Sequence, residues 1–490
     1  MDPITWEEMK AIDINCSQLG LLPIQLMENA GSAVSKAISD RFSGGKVLFI
    51  AGRGNNGGDA FVAARHLCQL PHFQIDVVLL GNAASIRTEE SKKNFLLLRY
   101  CDISSINEIT YPGDERLSRS INNADIIVDG MLGTGAKGDI KEPEASAIEL
   151  INSSGKFVIS IDVPSGTMDT NSEAPKCVKA DLTITFHKMK EELNKLPASH
   201  YTGELKVEGI GVCSHAERFT GIGNLRNLSI RTPDSHKGQA GRILIIGGGA
   251  YSGAPALAAL AALRTGADIV TVAAPSNVAS TIASFSPDLI VRCLSGQRLC
   301  SDDLPLITKL VCQHDVIVMG MGLGNEEGVE RTVRKIIPLC KKLVLDADAL
   351  LAVEGTKYTT SKIVITPHAK EFSRIRKVET ASDMNKRIEE VITFSKENDL
   401  VTLLKGKVDI ISDGRKVMLN RTGNAGMSVG GTGDVLAGIT GALLAVNSPM
   451  KAATCAAFIN GTAGDLAFKD KGYGLLATDV IERITDVMRK

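Results

Sequence analysis

Short apolar runs alternate with amphipathic stretches along the first half of the chain. Apolar residues at Ile24, Met27, Val34 and Ile38 recur three, four or seven positions apart, a spacing that predicts a helix with one buried face. Runs rich in β-branched residues predict strands over 46–50, 75–80, 125–129, 157–162, 182–186 and 205–210. Strands that alternate with helices predict an α/β fold, with a mostly parallel sheet covered on both faces.

The apolar periodicity weakens between residues 213 and 239 and then resumes. We therefore expect a domain boundary near Thr220, since 490 residues exceed what one hydrophobic core normally organises. In the second half, Leu257, Leu260 and Leu263 predict a helix. Strands are predicted over 242–246, 316–319, 343–346, 363–366, 401–405 and 409–412. A second α/β domain follows from this pattern.

Composition narrows the classes of partner. The net charge is −1 and 23% of residues are charged, so no basic excess exists for nucleic acid or an anionic membrane. The longest apolar run, 254–274, contains Arg264 and Asp268 and is too polar for a membrane span. Ten cysteines without a C-x-x-C pair are typical of free thiols in a reducing compartment. These features predict a cytoplasmic protein with small ligands.

A glycine-rich loop, GRGNNGGD at 52–59, follows one predicted strand and opens a predicted helix. Such a helix start can direct backbone N–H groups at a phosphate, and we expect its four glycines to adopt positive φ and approach the ligand closely. Asp129, Asp162 and Ser165 lie at or just after later strand ends, which meet at one edge of a parallel sheet. Together with Asn56, these oxygens suit a hard cation such as K⁺, Na⁺ or Mg²⁺.

Five motifs in the first half, EMKAID, LMENAG, GNNGGD, DGMLGTG and DVPSG, occur in an order that resembles the NAD(P)H-hydrate epimerase domain. The resemblance covers about residues 1–215 and implies interconversion of the R and S hydrates. It implies a K⁺ ion held by Asn56, Asp129 and Ser165, and it makes Asp162 the acid/base. The residues that it places around the hydrate are Asn55, Asn56, Gly57, Gly58, Asp59, Gly133, Thr134, Gly135, Ala136, Lys137, Gly138, Asp139 and Asp162.

The second half contains another glycine-rich helix start, GGTGD at 430–434. Alone it also fits a simple turn. Ahead of the apolar helix that follows, however, Gly431, Thr432 and Gly433 supply backbone donors for a phosphoryl group in transfer. Asp434 can accept the proton of an attacking hydroxyl. Most kinases of the ribokinase-like class share this arrangement.

Further motifs, HKGQAGRILIIGGG, GMGLG, LDADAL, TPHAKEF and LLKGKVDI, resemble the ADP/ATP-dependent NAD(P)H-hydrate dehydratase domain over about residues 222–490. The resemblance implies phosphorylation of the C6 hydroxyl of the S hydrate, loss of phosphate, and Mg²⁺ with the nucleotide. It assigns Asp434 as the base. It places Ala254, Gly322, Gly324, His368 and Asp434 at the hydrate, and Lys405, Gly406, Lys407, Val408, Asp409 and Gly433 at the adenine nucleotide.

Taken together, these resemblances predict a fused repair enzyme for NADH and NADPH hydrates. The expected fold is a Rossmann-like three-layer domain (1–215) followed by a ribokinase-like domain (222–490), in a homo-oligomer that is a tetramer or larger. A vitamin-precursor or sugar kinase shares Asp434 but does not account for GNNGGD or DVPSG. A non-catalytic nucleotide-binding first half is the other alternative. The choice between ADP and ATP, and between the two hydrates, stays open.

Overall fold

The chain folds as two compact units, Met1–Ala216 and Glu217–Lys490, in a computed structural model. The structure describes residues 3–135, 138–167, 176–194, 198–229, 236, 238–353 and 362–489. The division falls within a short helix, Ser214–Arg218 (α7). Each unit is described by itself below.

Within the described part of the first unit, seven parallel strands form one sheet, in the order β3-β2-β1-β4-β5-β6-β7. The strands are β1 Gly45–Ala51, β2 Phe73–Leu80, β3 Ser105–Ile109, β4 Ile126–Gly130, β5 Phe157–Ile161, β6 Leu182–Phe186 and β7 Glu204–Glu208. The helices before α7 are α1 Trp6–Gln18, α2 Pro23–Arg41, α3 Asn55–Leu67, α4 Glu89–Leu97, α5 Glu115–Asn123 and α6 Glu144–Ser153. Strand order reverses between β1 and β4, where a ligand crevice is expected at the carboxyl ends of the strands.

Alternation along β1 explains the three layers of this unit. Val47 and Phe49 belong to one buried core, whereas Leu48 and Ile50 belong to another. Since successive side chains of a strand point to opposite faces, the sheet has a hydrophobic core on each side. The Rossmann-like three-layer arrangement predicted from the sequence follows from this pattern.

The described part of the second unit contains a nine-stranded sheet, in the order β10-β9-β8-β11-β12-β13-β14-β15-β16. Its strands are β8 Arg242–Ile246, β9 Ile269–Ala274, β10 Ile290–Cys293, β11 Val316–Met319, β12 Lys342–Leu345, β13 Lys362–Ile365, β14 Val401–Leu404, β15 Asp409–Ser412 and β16 Val417–Asn420. In this spatial order, the seven strands from β10 to β14, with β8 and β9 among them, pair in parallel. The last two strands, β15 and β16, are each antiparallel to the strand before them. Strand order reverses between β8 and β11.

Helices cover both faces of this second sheet, because Ile243 and Ile245 of β8 join one core while Leu244 and Ile246 join another. The helices are α8 Ile222–Arg226, α9 Gly253–Thr265, α10 Ser276–Ser284, α11 Leu304–Gln313, α12 Glu327–Ile336, α13 Ala369–Arg376, α14 Met384–Asn398, α15 Thr432–Val446, α16 Pro449–Lys471 and α17 Ala477–Met488. The α15 helix packs against α9 within one of these cores.

Most predicted strands are confirmed, but β3, β9, β10 and β16 were missed. Three of these are outer strands whose residues are largely half-buried or exposed, so their sequences lack a clear apolar pattern. The central strand β9 was hidden inside the apolar run 254–274. The structure divides that run at Gly266, whose φ of 106° ends α9 before β9 begins.

Candidate active sites

In the first unit, the helix α3 begins directly at the glycine-rich loop, beside the crevice between β1 and β4. Gly54 occupies the position before the helix and provides no side-chain cap. The first helical hydrogen bond runs from Gly58 N to Gly54 O at 3.2 Å. The N–H groups of Asn55, Asn56 and Gly57 therefore have no acceptor within the helix and can bind an anion.

The positive φ expected for the loop glycines was wrong. Gly54 has φ −107°, and Gly52, Gly57 and Gly58 also lie outside the left-handed region. Their lack of a side chain serves close packing instead: a Cβ on Gly52 would collide with the carbonyl oxygen of Met131, and one on Gly57 with that of Gly52. The loop needs glycine because three backbone segments converge there.

The structure brings Asp129 and Ser165 together at the end of β4. The Ser165 hydroxyl donates to Asp129 Oδ1 at 2.6 Å, and the Ser165 N–H donates to Oδ2 at 2.9 Å. Ser160 Oγ and Met131 N donate to the same carboxylate at 2.9 and 3.2 Å. Burial raises the pKa of Asp129, and these four donors, led by Ser165, oppose that rise.

Asn56, on the first turn of α3, approaches the residue after Asp129: a Cβ on Gly130 would lie 3.1 Å from the Asn56 carbonyl oxygen. The Asn56 side chain is buried, and its Nδ2 has no hydrogen-bond partner in the described part of the chain. Gly133 approaches it closely: a Cβ on that glycine would lie 3.3 Å from Asn56 Cβ. The predicted contact segments 55–59 and 133–139 therefore meet at Asn56.

The remaining predicted contacts vary in exposure. Asn55, Gly135, Gly138 and Asp139 are exposed, and Thr134 is half-buried. Ala136 and Lys137, which the resemblance also placed at the hydrate, lie outside the described residues.

Asp162 follows β5 directly and has a positive φ of 63°, a conformation that few residues other than glycine adopt. Its Oδ1 accepts from Lys190 Nζ at 2.9 Å and from Thr185 Oγ1 at 3.2 Å. Sequence reasoning missed Lys190, because a lysine shortly after a strand is unremarkable in a sequence. The lysine is nevertheless only 1% exposed.

Two further carboxyl groups are coupled to Asp162. Burial raises the pKa of Asp13 to about 7, with Lys190 lowering it and Asp162 raising it. Burial also raises the pKa of Asp59 well above its usual value, to which Asp162 and Asp13 add. Asp13 belongs to the EMKAID motif, but its role could not be predicted because the motif gave no distance to Asp162.

In the second unit, polar residues follow the carboxyl ends of neighbouring strands. Asp346 follows β12 and is buried, and its Oδ1 accepts from Lys405 Nζ, which follows β14, at 2.9 Å. Glu371, on the first turn of α13, lies 4.0 Å from the same ammonium. The sequence motifs contained Asp346 and Glu371, but their pairing with Lys405 depends on the strand order and could not be predicted.

The start of α15 lies against the Lys405–Asp346 pair. Gly431 precedes the helix with φ 98°, and a Cβ on Gly433 would lie 3.4 Å from Lys405 Nζ and 4.0 Å from Asp346 Oδ2. No side chain caps this helix start. Unpaired N–H groups at a helix start and a neighbouring ammonium are the kind of donors that can bind a phosphoryl group.

Asp434 lies on this same first turn. Burial raises its pKa to about 7, Asp346 and Asp348 raise it further, and Lys405 opposes them. A carboxyl group that titrates near neutral pH can take a proton from a hydroxyl and return it. The environment thus equips Asp434 as a general base.

Three of the predicted hydrate contacts of the second unit, Ala254, Gly322 and Gly324, lie at or beside the loop after β11. A Cβ on Gly322 would lie 3.8 Å from Ala254 Cβ, and Gly324 N donates to Asp348 Oδ2 at 2.8 Å. Both glycines have positive φ, at 70° and 87°. His368 is half exposed and caps α13, accepting from Glu371 N at 3.1 Å through Nδ1. Its Nε2 lies 3.5 Å from Glu371 Oε1.

The KGKVD segment forms a loop between β14 and β15. Gly406 N donates to Asp409 Oδ1 and Asn420 Nδ2 donates to Asp409 Oδ2, both at 2.9 Å. Burial raises the pKa of Asp409 to about 6, and these bonds oppose the rise. Gly406 and Lys407 are exposed and Val408 is half-buried. The Asp409 carboxylate, at the start of β15, therefore stabilises the loop through its bond to Gly406 N.

Among the described residues, no group of three histidine, cysteine, aspartate or glutamate side chains is arranged to hold a metal ion. Among the described helices, none has both the length and the apolar character that crossing a bilayer requires.

Comparison with known proteins places the chain in a family. The sequence pattern of NAD(P)H-hydrate dehydratase matches residues 243–486, and that of the YjeF-related protein N-terminus matches residues 23–192. The bifunctional NAD(P)H-hydrate repair enzyme Nnr of Archaeoglobus fulgidus is 42% identical over 100% of this chain and 99% of its own. The Nnr protein of Methanothermobacter thermautotrophicus is 43% identical over 98% and 94%.

A ribokinase-like superfamily protein from Enterococcus faecalis, of known crystal structure, aligns with 56% of this chain and 95% of its own. The TM-score is 0.50 and the identity 24%, which shows the shared fold. The predicted α/β fold class is confirmed. With full-length relatives and a family match in each half, this chain belongs to the bifunctional NAD(P)H-hydrate repair enzymes.

Proposed function

We propose that the two repair reactions are divided between the two halves of the chain. Residues 1–215 would interconvert the R and S hydrates of NADH and NADPH, and residues 222–490 would dehydrate the S form with ADP or ATP. One observation carries this proposal: each unit contains a carboxyl group suited to proton transfer, Asp162 or Asp434, at a sheet edge that also holds an uncapped helix start.

In the first reaction, the C6 hydroxyl loses its proton and becomes a carbonyl as the ring bond between C6 and N1 breaks and N1 takes up a proton. Closure on the other face of that carbonyl reverses these steps and inverts C6. This chemistry needs a group that gives and takes a proton, and Asp162 is assigned that role. The helix start 55–57 would bind the phosphate region. Asn55 through Asp59 and Gly133 through Asp139 would surround the hydrate, which the approach of Gly133 to Asn56 supports.

A K⁺ ion held by Asn56, Asp129 and Ser165 is part of this proposal. The three residues offer only hard oxygen ligands. One observation supports the fit: burial disfavours the charge on Asp129, which a cation would offset. The ion would supply fixed positive charge beside the hydrate.

In the second reaction, Asp434 would remove the proton of the C6 hydroxyl as that oxygen attacks the terminal phosphorus of the nucleotide. The N–H groups at the start of α15 and the ammonium of Lys405 would stabilise the charge on the transferred group. Phosphate then leaves C6 with the electron pair of the C–O bond, C5 gives up a proton to water, and the C5–C6 double bond of NAD(P)H re-forms. Ala254, Gly322, Gly324 and His368 would line the hydrate site.

Nucleotide binding is assigned to residues 405–409 and Gly433, and Mg²⁺ would accompany the nucleotide. Asp346 and Glu371, the two carboxylates beside Lys405, are suitable protein ligands. Mg²⁺ commonly takes one or two carboxylates, with phosphate oxygens and water completing its shell. The ion would neutralise phosphate charge.

The wider setting is also part of the proposal. The ten cysteines are all thiols rather than disulfides in the structure, which supports a reducing compartment, the cytoplasm. Small molecules, not nucleic acid, are the expected partners, and a homo-oligomer, a tetramer or larger, is expected. Light scattering after gel filtration tests the oligomeric state.

Complementation between two full-length variants tests the division of labour. Asp162→Asn should dehydrate the S hydrate but leave the R form, and Asp434→Asn should recover no NADH. A mixture of the two variants should recover NADH from both epimers. If Asp434→Asn alone regenerates NADH, or if the mixture does no better than Asp162→Asn, the assignment is wrong.

A further inference from the structure

The first unit contains a buried lysine to which the proposed reaction assigns no role. Lys190 lies four residues beyond β6 and is 1% exposed. Its segment is held in place by Ile4, which pairs with it: Ile4 N donates to Met189 O, and Glu191 N donates to Ile4 O, both at 2.9 Å. This pairing brings the chain entering α1, the helix of Asp13, beside the lysine.

The ammonium of Lys190 has three acceptors. They are Asp162 Oδ1 at 2.9 Å, Thr185 Oγ1 at 3.1 Å and the Phe186 carbonyl at 2.7 Å. Since an ammonium has three N–H donors, this arrangement uses all of them. Lys190 therefore has no donor left for a substrate and is not itself placed to bind one.

Asp162 is held from one side only. Lys190 and Thr185 both contact its Oδ1, and Thr185 also contacts Lys190, so the three polar groups form a closed triangle. Within the described part of the chain, Asp162 Oδ2 takes no part in this triangle. One oxygen is thus anchored, and the other is left to accept a proton from the hydrate.

The charges around Asp162 require a cation. Asp13 on α1 and Asp59 on α3 act electrostatically on Asp162, and Lys190 is the cation that acts on both of them. Burial and mutual repulsion raise the pKa of Asp13 to about 7 and that of Asp59 well above its usual value, and Lys190 opposes both shifts. Without the ammonium, three neighbouring carboxyl groups would lose the cation that opposes the raised pKa of both Asp13 and Asp59.

We propose that Lys190 is a positioning residue for the epimerisation, which anchors Asp162 through Oδ1 and places a positive charge beside it, so that Oδ2 can act as the proton acceptor. The proposal rests on the function assigned to Asp162 above. It separates two roles at the site. Asp162 exchanges the proton with the hydrate, and Lys190 orients the Asp162 carboxylate and supplies the positive charge beside it.

Replacement of Lys190 by methionine, in the full-length protein, removes the charge and nearly preserves the length. With R hydrate as substrate and dehydration kept non-limiting by added Asp162→Asn protein, the rate of NADH recovery reports epimerisation. We expect kcat to fall about 10²-fold or more at neutral pH. The pH at which the rate is half-maximal should rise, because removing a cation makes a neighbouring carboxyl group harder to ionise.

Three variants complete the design. Lys190→Arg keeps the charge and should retain the wild-type pH midpoint with a reduced kcat, because the guanidinium does not fit the triangle. Thr185→Val removes an uncharged donor and should lower the rate without moving the midpoint. Lys206→Met is the matched control: it removes a half-exposed lysine that pairs with Glu208 in the same unit, and both kcat and the midpoint should stay unchanged.

The results separate the inference from the function on which it rests. If Asp162→Asn epimerises normally, the proposed function itself fails. If Asp162→Asn is inactive but Lys190→Met keeps the wild-type rate, or loses rate with an unmoved pH midpoint, only the role of Lys190 is overturned. Should Lys190→Met not fold, as its dehydratase rate and thermal unfolding would reveal, Lys190→Arg decides: a moved midpoint contradicts the proposal.

Discussion

The sharpest prediction concerns Asp434 and the pH dependence of dehydration. The change is Asp434→Asn, which preserves shape and removes the group that accepts the hydroxyl proton. Loss of a general base typically lowers a rate by about 10² to 10⁴-fold. Because burial and the neighbouring Asp346 raise the pKa of Asp434 to about 7, the wild-type rate should depend steeply on pH below neutrality.

The size of that dependence follows from the fraction of Asp434 that is ionised. One pH unit below its pKa a base is only about one-tenth deprotonated, so the rate at pH ~6 should be roughly a tenth of the alkaline plateau. The asparagine variant should lose this slope as well as the rate.

The assay uses purified S hydrate with saturating nucleotide, so that epimerisation does not limit the rate, and follows the return of NADH absorbance. Epimerisation by the same variant, measured with R hydrate and added Asp162→Asn protein, is the internal control and should be unchanged. An Asp434→Asn protein that keeps most of its dehydratase rate, or keeps the wild-type pH slope, refutes the role of Asp434.

Three other predictions follow from the same sites. Asp162→Ala should stop interconversion, so that recovery of NADH from mixed hydrates reaches a plateau once the S form is consumed; a course that runs to completion faster than spontaneous epimerisation contradicts this. Asp129→Ala, or replacement of potassium by a bulky organic cation, should weaken hydrate binding to the first unit and spare dehydration; equal epimerase KM with and without potassium argues against the ion. Asp434→Asn should also raise the thermal unfolding midpoint at pH ~8 but not below pH ~4, because the raised pKa makes the folded state bind more protons than the unfolded one between these limits, and stability from this group is lost as pH rises.

The sequence predicted the sheet where apolar side chains fill both faces. β1 and β8 are such strands, since each contributes alternate residues to two cores. Predicted strand ends ran one residue too far at Asp162 and Lys405, because a polar residue directly after an apolar run does not reveal that the backbone has left the extended conformation. Asp162 does so with a φ of 63°.

The chemistry was predicted only as far as single motifs carry it. The motifs named Asp129, Ser165 and Asp162, and the fold brings Asp129 and Ser165 into contact. The contact between Lys190 and Asp162 depends on the pairing of β6 with β5. The contact between Lys405 and Asp346 depends on the order of β12, β13 and β14 in the sheet. Neighbours across a sheet are set by topology, which local pattern does not contain.

The loop glycines are a different kind of error. The sequence suggested that they allow the backbone to adopt positive φ. In the structure, however, Gly52 and Gly57 must lack a side chain because backbone carbonyl groups occupy the space that a Cβ would need. Sequence alone does not distinguish these two reasons for a glycine, since both depend on the absence of a Cβ atom.

Central to the proposed function is that one chain repairs both epimers through two separate sites. The most direct measurement follows NADH recovery from a defined mixture of R and S hydrates, with the wild-type protein and either ADP or ATP. We expect recovery of all the NADH, at a rate well above spontaneous epimerisation, with nucleotide consumed in equal amount. Recovery that stops at the S fraction, or that proceeds without nucleotide, would contradict the claim.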